Sequence, residues 1–477
     1  MENIPLQNFY KSVESVLPKY RYNRLALNNM SSTTVQLLAT SSQNLEFKIP
    51  ACTVLNPARS FLTYQYTVPA LGAGQYPCVF SNALDFRTVS FRSQSGVPIV
   101  DLQEGSVHVN ALRPIRTKLS DFLTMDPLGV LSPSNMLQSQ NLLPFSRDGL
   151  TAGTENASTK SYTEQQYLQI APVANTEMVI SRYVPLSCLV DTFLALDKDV
   201  VFGQDMVLSL GTQYLTRMFY YTTTPNNPSA NVTIVTANLN ISNIYLQMAV
   251  EANTTIKNSL LNSLSNGKIT IPCPYIYQTR FSQAGSSTSF SQSLTISKAF
   301  GRYLKRVVWI PYAGGEYTQH AFNHCNLNGS KVTQYQTYLN AVPQTDQMVN
   351  CYNPNSSLLT WWNNNAPSDV AGDYRENKDL IAGSVLQDYS VYQTNFLHAD
   401  VFGMKLGESK WNSPHDSQIC DGFDLSAQGE LVYSINCQTP AINNAGSDCK
   451  ASGLIHYVNQ LFQRQLSIMP SGFSWDW

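Results

Sequence analysis

Charge is what this sequence has least of. Lys, Arg, Asp and Glu make up 13% of its 477 residues, about half the usual share of a soluble domain. The 30 basic and 32 acidic residues nearly cancel, to a net charge of −2, and are interspersed. With no Lys/Arg run or basic tail, the phosphate-neutralising footprint of a nucleic-acid binder is missing. The densest basic patch, Arg302, Lys305 and Arg306 in "GRYLKRVVWI", reads as the solvated end of an apolar strand. No stretch approaches the ~18 uninterrupted apolar residues of a membrane span. The opening "MENIPLQNFYKSVESVLPKY" lacks a cationic start followed by an apolar run, so no secretory signal is expected there. The nine cysteines (52, 78, 188, 273, 325, 351, 420, 437 and 449) are odd in number, scattered and without CxxC. That pattern suits reduced thiols of a cytosol or nucleus better than a disulfide framework. Sequons such as those at Asn231 and Asn253 follow from a chain rich in Asn, Ser and Thr.

Signatures of catalysis are equally scarce. "EYTQHAFNHC" places His320 and His324 four apart, with Cys325 next. A zincin helix needs a glutamate base between such histidines; here Ala, Phe and Asn intervene, and turn-forming "YAGGE" and "NLNGS" flank them. No second Cys/His pair lies at zinc-finger spacing, so a solvated loop is the expectation. There is no GxxxxGK[ST] phosphate loop and no GxSxG elbow. Asp197 with Asp199 and Asp421 with Asp424 are close carboxylate pairs, but a glycosidase needs two that face each other across a cleft, and solvated turns suit both better. Trp361-Trp362 offers a sugar-stacking platform or an anchor that pins a long loop; we read the anchor. The sequence nominates no catalytic, cofactor-binding or metal-binding residue, and no cofactor.

What the sequence does have is apolar material arranged in twos. Hydrophobic residues reach 43%, with 26 Tyr and 20 Phe, a composition that buries cores and does not go with disorder. Leu45, Phe47 and Ile49 share one face of "NLEFKIP"; Leu62, Tyr64, Tyr66 and Val68 share one of "FLTYQYTV". Val107 with Val109, then Met206, Leu208 and Leu210, repeat the alternation, and "NVTIVTANLNISNIYLQMAV" reads as one or two strands. Helical spacing is sparse: an N-terminal stripe of Leu6, Phe9, Tyr10, Val13, Val16 and Leu17 before Pro18, and a candidate at Val332, Tyr335, Tyr338 and Leu339. "TTIKNSLLNSLSNGK" reads as helix or linker. Long polar loops are expected at 146–163, 222–231 and 344–382. A chain this long is expected to form two domains of about 200 residues. The reading is an all-β chain with an N-terminal arm at 1–38, a first domain at 39–256, a linker at 257–268 and a second domain at 269–477.

Particular segments then carry a resemblance. "NLEFKIPACTVLNPARSFLTYQYTV" resembles the opening strand pair of double jelly-roll major capsid proteins of icosahedral DNA viruses, a lineage spanning adenovirus, tailless phages, virophages and large DNA viruses. "NALDFRTVSFRSQSGVPIVDLQEGSVHVNAL", "SRYVPLSCLVDTFLALDKDVVFGQDMVLSLG" and "VTIVTANLNISNIYLQMAVEA" are similar to the later segments of that family's first barrel. "SFSQSLTISKAFGRYLKRVVWIPYAGG" resembles its second-barrel strands, with "HAFNHC" in the polar loop after them. The likeness covers roughly residues 40–345; "SGLIHYVNQLFQRQLSIMPSGFSWDW" departs from it and admits helix or strand.

The resemblance implies two consecutive eight-stranded antiparallel jelly rolls with short helices and long loops. It also implies a non-enzymatic structural role: homotrimers acting as pseudo-hexameric capsomers that tile a virus shell. The partners implied are the chain itself, neighbouring capsomers and minor or penton proteins, with an internal membrane as a further neighbour and no sequence-specific nucleic acid. The implied location is the virion, after synthesis in the host cytoplasm or nucleus without secretion. The alternatives are a carbohydrate-binding or spike-like β-sandwich adhesin, a minor vertex protein, or a β-sandwich glycoside hydrolase. The N-terminal stripe from Leu6 to Leu17 is expected either to clasp a neighbour or to pack on its own barrel.

Overall fold

The computed structural model describes residues 17–68, 76–79, 85–109, 178–215, 219–222, 232–234, 239–313, 334–343, 348–350, 402–405, 423–425, 431–439 and 453–476. Within these, alternating apolar residues form strands that pair antiparallel throughout. One sheet of the first half holds β1 (Tyr20–Leu25), β2 (Val35–Gln36), β4 (Val54–Val68), β8 (Met178–Pro185), β9 (Val200–Val201) and β13 (Asn240–Glu251). A second holds β3 (Asn44–Ile49), β6 (Phe86–Ser93), β7 (Pro98–Leu102) and β10 (Met206–Thr212). A small third sheet joins β5 (Tyr76–Val79), β11 (Phe219–Thr222) and β12 (Val232–Ile234).

The second half repeats the plan. Its larger sheet holds β14 (Ile269–Gln283), β16 (Tyr303–Ala313), β20 (Phe402–Lys405), β21 (Phe423–Asp424), β23 (Leu454–Met469) and β24 (Gly472–Asp476). The other holds β15 (Ser289–Ile296), β17 (Gln334–Leu339), β18 (Val342–Pro343), β19 (Val349–Asn350) and β22 (Leu431–Gln438).

The strand orders β1-β13-β4-β8 and β3-β10-β6-β7 in the first half match β14-β23-β16-β20 and β15-β22-β17-β18 in the second. Numbered along the chain within each set of eight, both halves run first-eighth-third-sixth and second-seventh-fourth-fifth. That order is a jelly roll, two four-stranded sheets wound from one long hairpin, and it occurs twice. Short strands pair alongside these paths.

Alternation decides which face turns inward. Leu45, Phe47 and Ile49 are buried on β3, opposite Leu210, Leu208 and Met206 of β10. Leu62 and Tyr64 of β4 close the space from the other sheet, with Leu246 and Met248 of β13. Between the sheets Phe91, Phe193 and Phe202 pack with ring centroids 5.6–5.8 Å apart. Asn243, at φ 52°, takes the left-handed conformation that Asn tolerates, where the β4–β13 register shifts.

Three expectations change and two open readings are resolved. The first sheet begins at Tyr20, inside the segment assigned to the arm at 1–38, because β1 and β2 both pair with β13. Val107 and Val109 lie in a helical turn at 105–109 and not a strand; the intervening His108 is also buried, so no outward face exists to make alternation meaningful. The helical spacing of Tyr335, Tyr338 and Leu339 is misleading, for 334–339 is strand β17, where Tyr335 and Thr337 are buried. Val332 lies outside the described residues. At 254–265 the Asn- and Ser-rich stretch forms helix α1 (Thr254–Ser265). Asn253 caps it by accepting from Thr255 N at 3.0 Å, and Leu264 is buried beneath it. The C-terminal stretch is strand: β23 turns back into β24.

The second core centres on Trp309, fully buried among Phe281, Phe290, Tyr433 and His456. Trp309 Nε1–H donates to His456 Nδ1 at 2.8 Å, so the other ring nitrogen carries the proton and donates to Gln283 Oε1, also 2.8 Å away. A second proton on His456 would face the indole N–H, and burial lowers its pKa to about 3. The unfolded chain therefore takes up that proton first. The histidine's contribution is complete above its ordinary value of 6.5 and is lost as pH falls toward 3, by up to about 1.4 kcal/mol per pH unit. Urea titrations at stepped pH should show this slope in the wild type and a flatter one in His456→Gln.

Candidate functional site

The two jelly rolls meet along a seam, and the most elaborate buried polar chemistry among the described residues lies there. The first lobe contributes β7 and the turn after it, including Glu104, Ser106 and His108; the second contributes the outer face of β14 and β23. Glu104 N–H donates to Gln278 Oε1 at 2.9 Å. Gln278 Nε2 donates to Asn459 Oδ1 at 3.0 Å, and Asn459 Nδ2 to His108 Nδ1 at 2.9 Å. His108 Nε2–H then donates to the Val190 carbonyl at 2.8 Å.

The ends of this chain are backbone groups, a fixed donor and a fixed acceptor. Every amide orientation and the imidazole tautomer between them is therefore determined. Flipping either side-chain amide would set donor against donor. Because a buried unpaired group costs about 1–3 kcal/mol, the network holds the lobes in one register.

A supporting layer surrounds it. Arg87 Nε lies 2.8 Å from Glu104 Oε1, and Arg87 also donates to the Tyr214 hydroxyl. Gln213 Nε2 donates to Ser106 Oγ at 2.8 Å. Inside the first lobe the Tyr64 hydroxyl donates to Asp85, beside which the Arg182 guanidinium lies at 3.0 Å.

Apolar contacts continue the seam. Ile276 and Leu461 join the first lobe's core cluster, as do Leu466 and Ile468. Phe473 meets Phe202 edge-on at 6.2 Å, and the Arg464 guanidinium sits over Trp475 at 4.2 Å and Tyr275 at 4.7 Å. Gly203 approaches the β23–β24 turn so closely that an added Cβ would lie 2.2 Å from the Pro470 carbonyl oxygen. Helix α1 packs against β4, β9 and β13 of one lobe and β23 of the other.

The residues singled out by sequence are dispersed. His320, His324, Cys325, Trp361, Trp362 and Asp421 lie outside the described residues, as do the loop at 146–163, the loop at 222–231 beyond Thr222, the loop at 344–382 apart from 348–350, and the stripe from Leu6 to Val16. Leu17 is exposed, and its carbonyl accepts from Asn253 Nδ2 at 2.9 Å. Asp197 is held by Arg59 at 2.8 and 3.1 Å. Asp199 accepts from the Tyr20 hydroxyl at 2.8 Å, and burial raises its pKa. Asn56 Nδ2 reaches both carboxylates, 2.9 Å from Asp197 Oδ1 and 3.5 Å from Asp199 Oδ1, so the pair shares one hydrogen-bonded cluster. Asp424 pairs with Arg302 at 3.0 Å on the surface.

Among the described residues no group of three or more His, Cys, Asp or Glu is placed to hold a metal ion. Cys273 is a buried thiol whose pKa burial raises to about 12, which leaves it inert at neutral pH. Sequence reasoning missed the seam residues Glu104, His108, Gln278 and Asn459. For Asn459 the signal was a cluster of polar residues, Asn459-Gln460 and Gln463 to Gln465, interrupting the apolar "YVNQLFQRQL".

No protein-family model matches the sequence, and no curated protein matches it. Solved structures do. The chain is similar to a chain of the PBCV-1 virus capsid, with 9% identity over 96% of this chain and 97% of that one, at a TM-score of 0.50. It is also similar to PBCV-1 VP54 fitted into a reconstruction of the virophage Sputnik, with 9% identity over 96% and 97% and a TM-score of 0.48. A third similar structure is the mavirus major capsid protein, with 9% identity over 100% and 95% and a TM-score of 0.46. The PBCV-1 capsid match and the repeated strand order agree on the fold, a double jelly roll.

Two substitutions test the seam. Asn459→Ala strands Gln278 Nε2 and His108 Nδ1 without partners and should cost about 2–4 kcal/mol in chemical denaturation. Gly203→Ala should loosen the lobes, read as faster hydrogen exchange in 98–109 and 472–476 with the distant β15–β22 pair unchanged.

Proposed function

We propose that the chain is a structural capsid protein, built to be tiled and not to catalyse. One observation carries this reading: a single jelly-roll topology occurs twice, and the two copies pack head to tail. The first lobe's β7 side covers the second lobe's β14–β23 face, so the contact joins unlike surfaces. A contact of this kind repeats from chain to chain until it closes into a ring. Three chains would present six similar lobes, a nearly hexagonal tile suited to an icosahedral shell.

The division into lobes follows the strands, with 20–251 as the first, 269–476 as the second and α1 as the rigid joint between them. Low charge content supports a lattice role, because interface cores are depleted in charged residues and burying an unpaired charge is costly. The resemblance to a PBCV-1 capsid chain in fold supports it as well. On this reading the chain resides in the virion, its main partner is itself, and minor or penton proteins complete the shell. Internal membrane contact, if the virus has a membrane, falls to the segment preceding β1.

The purified chain should show a native mass near three times 53.1 kDa at micromolar concentration, with six-lobed plates in negative stain. A monomer at every concentration tested would contradict the capsomer reading.

A further inference from the structure

Two carboxylates of the first lobe face each other where the chain enters β1. Glu251, the last residue of β13, is 2% exposed. Its Oε1 accepts two backbone N–H groups, from Lys19 at 2.9 Å and Asn253 at 2.6 Å. Its Oε2 is buried and meets no hydrogen-bond donor among the described residues. The side chain facing it is Asp199, half-buried just before β9. A buried acceptor without a donor is costly, and two facing carboxylates repel. One proton held between them removes both penalties. We propose that Asp199 and Glu251 share a single proton, carried on Asp199 and donated to Glu251, and that this proton latches the chain entering β1 onto the joint between the lobes.

The hydrogen bonds around the pair show what the latch holds. Lys19 immediately precedes β1, and its carbonyl accepts from the Ala252 N–H. Asn253 is the cap of α1, and its Nδ2 donates to the Leu17 carbonyl at 2.9 Å. Asp199 accepts from the Tyr20 hydroxyl at 2.8 Å, which in turn accepts from Asn56 of β4 at 3.1 Å. Any movement that separates Asp199 from Glu251 is therefore felt at the entry to β1, at the start of α1 and at β4.

The surrounding charges do not neutralise the pair. Lys19, Arg21 and Lys198 are exposed, Arg24 lies over the Tyr245 ring, and Arg59 is paired with Asp197. Helix α1, packed on β9 and β13, carries one charged residue, Lys257. Burial pushes the Tyr20 hydroxyl upward, so it adds no charge near neutral pH. None of these cations forms an ion pair with Asp199 or Glu251. Burial, and after it the facing Glu251 carboxylate, raise the Asp199 pKa above its ordinary 3.8. The stability this proton supplies is complete below 3.8 and is lost as pH rises through the raised value. Acid tightens the latch, and neutral pH loosens it.

The test is hydrogen exchange of the full chain from about pH 4 to about pH 8, corrected for intrinsic exchange, with the β15–β22 amides as the reference for global opening. Protection of the Lys19 and Asn253 amides should be severalfold greater at the acid end than at the alkaline end. Asp199→Asn keeps an acceptor for Tyr20 and gives Glu251 a permanent N–H donor, so it should hold acid-level protection throughout. Glu251→Gln, whose amide donates to Asp199, should do the same, and it covers the case where Asp199→Asn fails to fold. A wild-type profile that is flat or rises with pH, or one that matches Asp199→Asn, would overturn the proposal; a flat profile would assign a water to Glu251 Oε2. Infrared difference spectra of wild type against Asp199→Asn should carry the carbonyl band of a protonated carboxyl at pH values where free carboxylates are ionised. Its absence would also overturn the proposal. These readings need no assembly, so they stand or fall apart from the capsomer.

Discussion

Everything larger in this molecule depends on two backbone groups that cannot change roles. The Glu104 N–H can only donate and the Val190 carbonyl can only accept. The three side chains strung between them, Gln278, Asn459 and His108, are thereby forced into one arrangement. Apolar packing at Ile276 and Leu461 supplies area but is non-directional. The polar chain supplies register, and register turns two independent barrels into one rigid block. If the lobes could slide, the angle between them would vary and a closed ring of copies would not form reproducibly.

The same logic explains how the chain manages with so little charge. Two of its described ion pairs, Arg59–Asp197 and Arg302–Asp424, are solvent-exposed, and exposed pairs contribute little. Apart from the Arg182–Asp85 and Arg87–Glu104 pairs and the Asp199–Glu251 carboxylates, the buried polar contacts described above use neutral amides, hydroxyls and imidazoles, which cost less to desolvate than ions. His456 and His108 both serve as neutral rings between fixed partners. The seam-facing Asn459 and Gln278 do what a charged pair would do in a more conventional interface, without the risk of a stranded charge.

Much of the fold was legible in sequence because a half-buried strand writes itself as a two-residue period. Leu45, Phe47 and Ile49, or Met206, Leu208 and Leu210, report their inward face directly. The signal fails where both faces are covered. β23 is buried on nearly every residue, so its pattern admits helix or strand, and the seam that covers it cannot be seen from one segment. It fails again at 105–109, where a buried turn mimics alternation, and at β17, where Tyr335, Tyr338 and Leu339 fall at helical spacing by coincidence. β1 was read as part of an arm because "YRYNRL" carries polar residues on a strand whose partner, β13, lies more than two hundred residues away. Nothing local could reveal that pairing. The functional surface was illegible for a related reason: no catalytic motif marks it, only the relation between two distant halves.

The central claim is that one chain folds as two like barrels held in a single register by the polar seam. A cryo-EM reconstruction of the purified assembly, at a resolution that separates strands, tests it most directly. The account predicts two jelly rolls per chain at one fixed angle, with Gln278, Asn459 and His108 linked across their seam. Lobes of one chain held at varying angles, or a seam without those three side chains, would contradict it.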